Sequence, residues 1–232
     1  MSPTLDATAA EPPAAPASIV LFMLDQLSAR WLEAALDGAC PLPNVRRLAE
    51  RGTRFARCYT SNPVCCPARA TLATGMTSRQ HGVLQNGYEL DPSLPTMYRA
   101  LQAAGWRTGA FGKLHLHAHF HGTHPDYRPY GFDVVHNTED PRGGEWLDWL
   151  RAEHPEHARA ALACIWAGGI PEFESYGPEC ENLRAEIAAA REGFDFASAE
   201  SPRGTWVCHA LPLDRTLSQT EWITRHAESF LR

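Results

Sequence analysis

Six consecutive apolar residues, IVLFML from Ile19 to Leu24, stand between Ser18 and Asp25. An uninterrupted run of that length fits a strand buried on both faces of a parallel sheet, and its carboxyl end delivers Asp25 and Gln26. Open α/β sheets gather their ligands at that end of the strands. Two later stretches share one grammar, NVRRLAERGTRFARCY and TMYRALQAAGWRTGAFGK. In each, an amphipathic helix ends at a glycine suited to the left-handed position (Gly52, Gly105), and a strand-like run follows. This repeated order predicts crossover units on a largely parallel sheet.

Beyond about Gly143 the texture turns helical, in EWLDWLRAEHPEHARAALACIW and ENLRAEIAAAREG, around the Gly- and Pro-containing stretch GGIPEFESYGPE. The last stretch, LSQTEWITRHAESFLR, places Glu221 three residues after Ser218, a capping-box spacing, and carries Trp222, Ile223, Ala227, Phe230 and Leu231 on one side. In a βαβ architecture such a helix leads on to another strand, so the sheet is expected to be incomplete and the chain truncated. The fold class expected is therefore α/β, a largely parallel sheet flanked by helices, with a helical segment in the C-terminal third. The segments are a disordered leader at 1–17, a sheet-forming region at 18–138, a helical insertion or cap at 139–213 and a closing helix at 214–232.

Composition narrows the function more than the fold. With 44% hydrophobic residues, the 232-residue chain has ordinary material for a core. Its formal charge of -6 gives no broad cationic footprint for nucleic acid, so any anion must be bound locally. The N-terminal stretch lacks the basic and long apolar regions of a secretory signal, and Ile19 to Leu24 is too short to span a membrane. Seven cysteines without a compact spacing argue against a disulfide scaffold, and a cytoplasmic location is the expectation.

The stretch NPVCCPARATLATG holds the candidate chemistry. Pro67 suits a first helical position and Gly75 the residue past a helix end, which predicts a short helix over PARATLAT with Cys65 and Cys66 at its mouth. A helix N-terminus favours an anion or an anionic nucleophile. Arg69 then falls in the first turn, where a cation is disfavoured, so it requires an acidic partner or a functional reason. By residue type alone, a buried structural thiol and a surface arginine is the favoured reading.

Cys65, Pro67, Arg69, Leu72, Thr74 and Gly75 spell C-x-P-x-R-x-x-L-x-T-G, which resembles the signature of the type I sulfatases of the alkaline phosphatase-like superfamily. The resemblance extends through PNVRRLAERGTRFARCYTSNPVCCPARATLATGMTSRQHGV and on to GKLH at Gly112 to His115, similar to the family's G-K-x-H, and fades after YGFD near residue 133. It implies that a maturation enzyme oxidises Cys65 to formylglycine, while Cys66 fills the variable position. The hydrated aldehyde would attack the sulfur of a small-molecule sulfate ester. Arg69 would orient the diol, and Lys113 and His115 would hold the sulfate oxygens. It further implies a divalent cation, calcium first and magnesium or manganese as alternatives, bound by Asp25, Gln26 and the oxygen at position 65.

Lys113 is the only lysine in a chain that otherwise uses arginine, so a compact ammonium with mobile donors fits this position better than a planar fork. His115, His117, His119 and His121 recur at period two, and on a strand they would share one side, where imidazoles suit zinc or nickel. Only His115 falls within G-K-x-H. Gln26 stands where many sulfatases have a second aspartate, a substitution the resemblance associates with choline sulfatases and with phosphonate monoester hydrolases. Phosphonate or phosphate ester hydrolysis is therefore the enzymatic alternative, and a non-catalytic sulfatase-like fragment the other. Calcium takes about six to eight oxygens, and the family's later Asp-Asn or Asp-His pair has no counterpart after residue 150. Oligomeric state and the identity of the ester stay open.

Overall fold

The computed structural model of the protein describes residues 18–118, 123–139, 142–165, 183–194 and 211–232. The chain forms two compact units, one ending at Cys58 and the other beginning at Tyr59. The leader at 1–17, the stretch GGIPEFESYGPE, and His119 and His121 lie outside the described residues.

In the first unit, α1 (Ala29–Leu36) is opened by Ser28, whose hydroxyl accepts from the Trp31 amide, and α2 (Pro43–Arg51) begins on a proline whose fixed φ is already helical. Arg54 pairs with Glu33 at 3.3 Å. The expected strand at Ile19 to Leu24 is absent: the run is irregular, with every residue exposed and Phe22 80% exposed. Such a strand needs ladder partners on its edges and helices over its faces. The described residues of this unit contain no strand that could pair with it. The run from Arg54 to Tyr59 likewise forms no strand, and Gly52 is extended (φ -122°) rather than left-handed.

The second unit holds the sheet. Strand β1 (Gly109–Gly112) pairs in parallel with β2 (Val134–Asn137), Gly109 opposite Val134 and Gly112 opposite Asn137. The parallel pairing and flanking helices bear out the α/β class, although the strand that the GWRTGAFGK grammar predicted finds its partner in VVHN rather than in the upstream runs. Helix α5 (Met97–Ala103) leads into β1 and is capped by Thr96, with Gly105 left-handed (φ 84°) as the pattern predicts. Helix α3 (Cys65–Thr74) precedes the short α4 (Ser78–His81).

Two apolar clusters stabilise this unit. One gathers Cys66, Ala70, Ala73, Val83, Leu90 and Leu116 with the rings of Tyr127, Tyr130 and Phe132, and seats α3 against the sheet. The other is helical, built by α6 (Glu145–Glu153), α7 (Ala158–Cys164), α8 (Arg184–Arg191) and α9 (Gln219–Leu231) around a fully buried Trp146. The Trp146 indole N–H donates to the Leu217 carbonyl at 3.0 Å, so its one polar atom is satisfied in the core. Ser218 caps α9 by accepting from the Glu221 amide at 3.2 Å, as its spacing predicts. Helix α9 lies against β1, with Phe230 and Phe111 centroids 5.4 Å apart. A side chain at Gly112 would meet Ile223 at 3.0 Å, and its φ of +91° already favours glycine.

Candidate active site

Helix α3 starts at Cys65, two residues earlier than the sequence suggests, and Pro67 sits in its first turn, where its missing N–H is one of the helix's unpaired donors in any case. Gly75 ends the helix in the left-handed conformation (φ 70°). Asn62 steers the chain into the helix by accepting from the Val64 amide at 3.1 Å, and Asn86 accepts from the Cys66 amide at 3.0 Å.

The adjacent cysteines have opposite environments. Cys66 is fully buried and its thiol donates to the Tyr88 carbonyl at 3.1 Å. Burial, reinforced by the charge of Glu139, pushes the Cys66 thiol up to about 12, so it stays a neutral packing group. Cys65 is partly exposed at the first helical position. The residue that C-x-P-x-R singles out is thus the one that solvent reaches.

Arg69 lies just past the first turn and is 9% exposed. Its Nη1 donates to the Lys113 carbonyl at 2.6 Å, which brings α3 to the G-K-x-H segment that follows β1. Lys113, Leu114 and His115 are irregular, and His115 is buried with a φ of +49°. Of the period-two histidines, His115 and His117 are described, and neither lies on a strand, because the residues from 113 to 118 are irregular. His117 instead places Nδ1 2.9 Å from the Ala118 carbonyl and Nε2 3.8 Å from Glu89. His81 is a packing histidine. Its Nδ1 accepts from the Val83 amide at 3.1 Å, which leaves the proton on Nε2, 3.1 Å from Thr71 Oγ1. Burial holds its basicity below the usual imidazole range.

The residue that sequence reading missed is Glu139. It follows β2, is 5% exposed, and its Oε1 accepts from the Leu114 amide (3.2 Å), the His115 amide (3.0 Å), the Tyr127 hydroxyl (2.7 Å) and Asn137 Nδ2 (2.8 Å). Burial alone would raise its carboxyl, but the donors from His115, Tyr127 and Asn137 outweigh it and hold Glu139 below the usual carboxylate range. Burial, with the Glu139 charge behind it, drives the Tyr127 hydroxyl well up, so it remains a donor. The sequence carries little signal for it, since the two apolar residues Val134 and Val135 are followed by the polar His136, Asn137 and Thr138 before the acid.

Asp25 and Gln26 lie in the first unit, exposed on a turn after Leu24, with Gln26 at φ +57°. Their oxygens have the hard-donor character that calcium or magnesium takes. Among the described residues, no group of three or more His, Cys, Asp and Glu is placed to hold a metal. The donor type fits, but two residues fall short of the about six to eight oxygens calcium takes.

The sequence model of the sulfatase family matches residues 17–141. A choline-sulfatase of Rhizobium meliloti is 33% identical over 138 residues, covering 57% of this chain and 27% of that protein. An arylsulfatase of Clostridium perfringens is 33% identical over 201 residues, covering 80% of this chain and 40% of that protein. The chain therefore spans less than half the length of either relative. Among solved structures, the phosphonate monoester hydrolase of Agrobacterium radiobacter aligns over 82% of this chain and 32% of its own, at 23% identity and a TM-score of 0.49.

Proposed function

This chain belongs to the sulfatase family, and we propose that it is the nucleophile-bearing part of a sulfuric ester hydrolase acting on a small sulfate ester. The observation that carries the reading is the 2.6 Å bond from Arg69 to the Lys113 carbonyl, which joins C-x-P-x-R to G-K-x-H across 44 residues of sequence. Accessibility of Cys65 beside a buried Cys66 supports the same register.

Cys65 is the proposed substrate of a formylglycine-generating maturation enzyme. When that aldehyde is present, its hydrate supplies an oxygen nucleophile and a route for expelling sulfate that a simple hydroxyl lacks. The chain's own residues bind and orient. The positive end of α3 and the cations of Arg69 and Lys113 favour a tetrahedral anion at the helix mouth. Lys113 and His115 hold its oxygens as charge develops on them. Asp25 and Gln26 are proposed ligands of a divalent cation, calcium before magnesium or manganese, which would supply Lewis-acid chemistry when bound. The proposed compartment is the cytoplasm.

No residue assigned in these 232 positions protonates the leaving alcohol, and the chain spans 27% and 40% of the two sulfatase relatives. Negligible aryl sulfate turnover is therefore expected of the purified chain, and robust hydrolysis would overturn that view. The deciding experiment is peptide mass spectrometry across residues 58 to 69 after co-expression with a formylglycine-generating enzyme. An aldehyde at Cys65 is expected. An unmodified thiol, or conversion at Cys66, refutes the assignment.

Gln26 favours one second reading, phosphonate or phosphate monoester hydrolysis on the same scaffold, because an amide lowers the negative charge of the cation site. Comparing aryl sulfate with phosphonate monoester turnover, in a polypeptide extended to the relatives' length, separates the two. The G-K-x-H pair at Lys113 and His115 argues for sulfate.

A further inference from the structure

We infer that Glu139 is the positioning residue that sets the backbone of Lys113, Leu114 and His115 against α3. The inference deepens the proposed function, since it rests on Lys113 and His115 serving as anion ligands there. The peptide group between Lys113 and Leu114 is gripped at both ends. Its carbonyl accepts from Arg69 at 2.6 Å, and its N–H donates to Glu139 Oε1 at 3.2 Å. A peptide dipole with a guanidinium at its negative end and a carboxylate at its positive end cannot rotate without losing one of two charge-assisted bonds.

The following amide, that of His115, donates to the same oxygen at 3.0 Å. His115 needs this restraint because a φ of +49° is sparsely populated by residues with a side chain. The carboxylate is itself anchored by Tyr127 and by Asn137, and Asn137 Nδ2 also donates to the Gly112 carbonyl at 3.1 Å. Gly112 immediately precedes Lys113, so β2 holds the start of the segment as well as its middle. From α9, Gln219 Nε2 donates to Thr138 Oγ1 at 2.7 Å and to the Glu139 carbonyl at 3.2 Å, which fixes the backbone that presents the acid. The second carboxylate oxygen, Oε2, is buried without a hydrogen-bond partner in the described residues, an arrangement that core packing alone does not favour. The net effect is one buried carboxylate oxygen that holds two successive backbone amides of the segment.

The test uses the complete 232-residue chain, labelled with 15N, in wild-type and Glu139→Gln forms. In the variant, the Leu114 and His115 amides are expected to exchange with solvent about tenfold faster, the equivalent of one weakened hydrogen bond, while amides of β1 and α9 keep their protection. Titration with inorganic sulfate is expected to show an affinity about tenfold weaker in the variant, a loss that a purely structural role would not produce at unchanged β1 and α9 protection. Unchanged exchange at Leu114 and His115, or a loss spread evenly over the second unit, overturns the inference. If wild-type protein binds no sulfate, the sulfatase reading fails on its own, and the exchange comparison still decides the role of Glu139. Should Glu139→Gln not fold, wild-type scalar couplings across the hydrogen bonds from both amides to the Glu139 carboxyl carbon decide it; their absence overturns it.

Discussion

Two regions of this chain carry short polar signatures next to apolar runs, and they are held very differently. Asp25 and Gln26 follow IVLFML in the first unit, where that run lies exposed and Ala35 is the one buried apolar residue among the described positions. Cys65, Arg69, Lys113 and His115 belong to the second unit, where α3 sits on a packed cluster and a carboxylate and a guanidinium grip one peptide group. Apolar content is not the difference, since IVLFML is more apolar than any stretch around α3. The difference is the presence of partners: β1 has β2 along one edge and α9 over one face, whereas the first unit offers α1 and α2 and no strand among the described residues. Hydrophobicity supplies the drive to bury a segment, and hydrogen-bonding neighbours decide whether burial is possible.

The largest test of that contrast is Trp146→Ala in the helical cluster. Loss of a fully buried indole and its bond to Leu217 is expected to destabilise the second unit by about 3–5 kcal/mol, read as a lower urea midpoint. Next comes Arg69→Met, which keeps the stem but removes the charge on the Lys113 carbonyl. A loss of about 2 kcal/mol is expected, and a neutral result would mean that the grip on the Lys113 peptide contributes nothing.

Selective alkylation tests the two cysteines without changing the sequence. At neutral pH the native chain is expected to react at Cys65 and not at Cys66, with both reacting in urea. The pH dependence follows from the same environment. The folded Cys66 thiol is raised above its usual value of 9.0, so its contribution is complete below pH 9 and is lost as pH rises toward about 12. Glu139 has the opposite sign: its carboxyl is lowered in the fold, so its stabilisation is present above the ordinary carboxylate range and fades as pH falls through the folded value. A urea midpoint that stayed flat across both windows would contradict these assignments. The smallest effect is expected from Phe22→Ser, within about 0.5 kcal/mol, because the ring is already in solvent. A large loss there would show that the first unit buries IVLFML after all.

Local chemistry was readable wherever the interacting residues are close in sequence. Ser218 with Glu221, and Gly75 and Gly105 as left-handed terminators, follow from spacing over a few residues, whereas the preference for Cys65 over Cys66 is what the resemblance to C-x-P-x-R implies. The start of α3 was misplaced by two residues, because Asn62 and Asn86 cap the chain before Pro67 and only one of them is near in sequence. Strand β2 escaped notice because VVHN is short and its one ladder partner lies 25 residues upstream.

The sequence by itself determined the α/β grammar around β1, the membership signalled by C-x-P-x-R and G-K-x-H, and the candidates Cys65, Arg69, Lys113 and His115. Tertiary structure alone decided that Arg69 meets the Lys113 carbonyl, that Cys66 is sealed, that IVLFML stays exposed, and that Glu139 is the acid under the G-K-x-H segment. These outcomes depend on contacts between residues 22 to 44 positions apart, or on partners that are missing, and neither is encoded in the spacing of neighbouring residues.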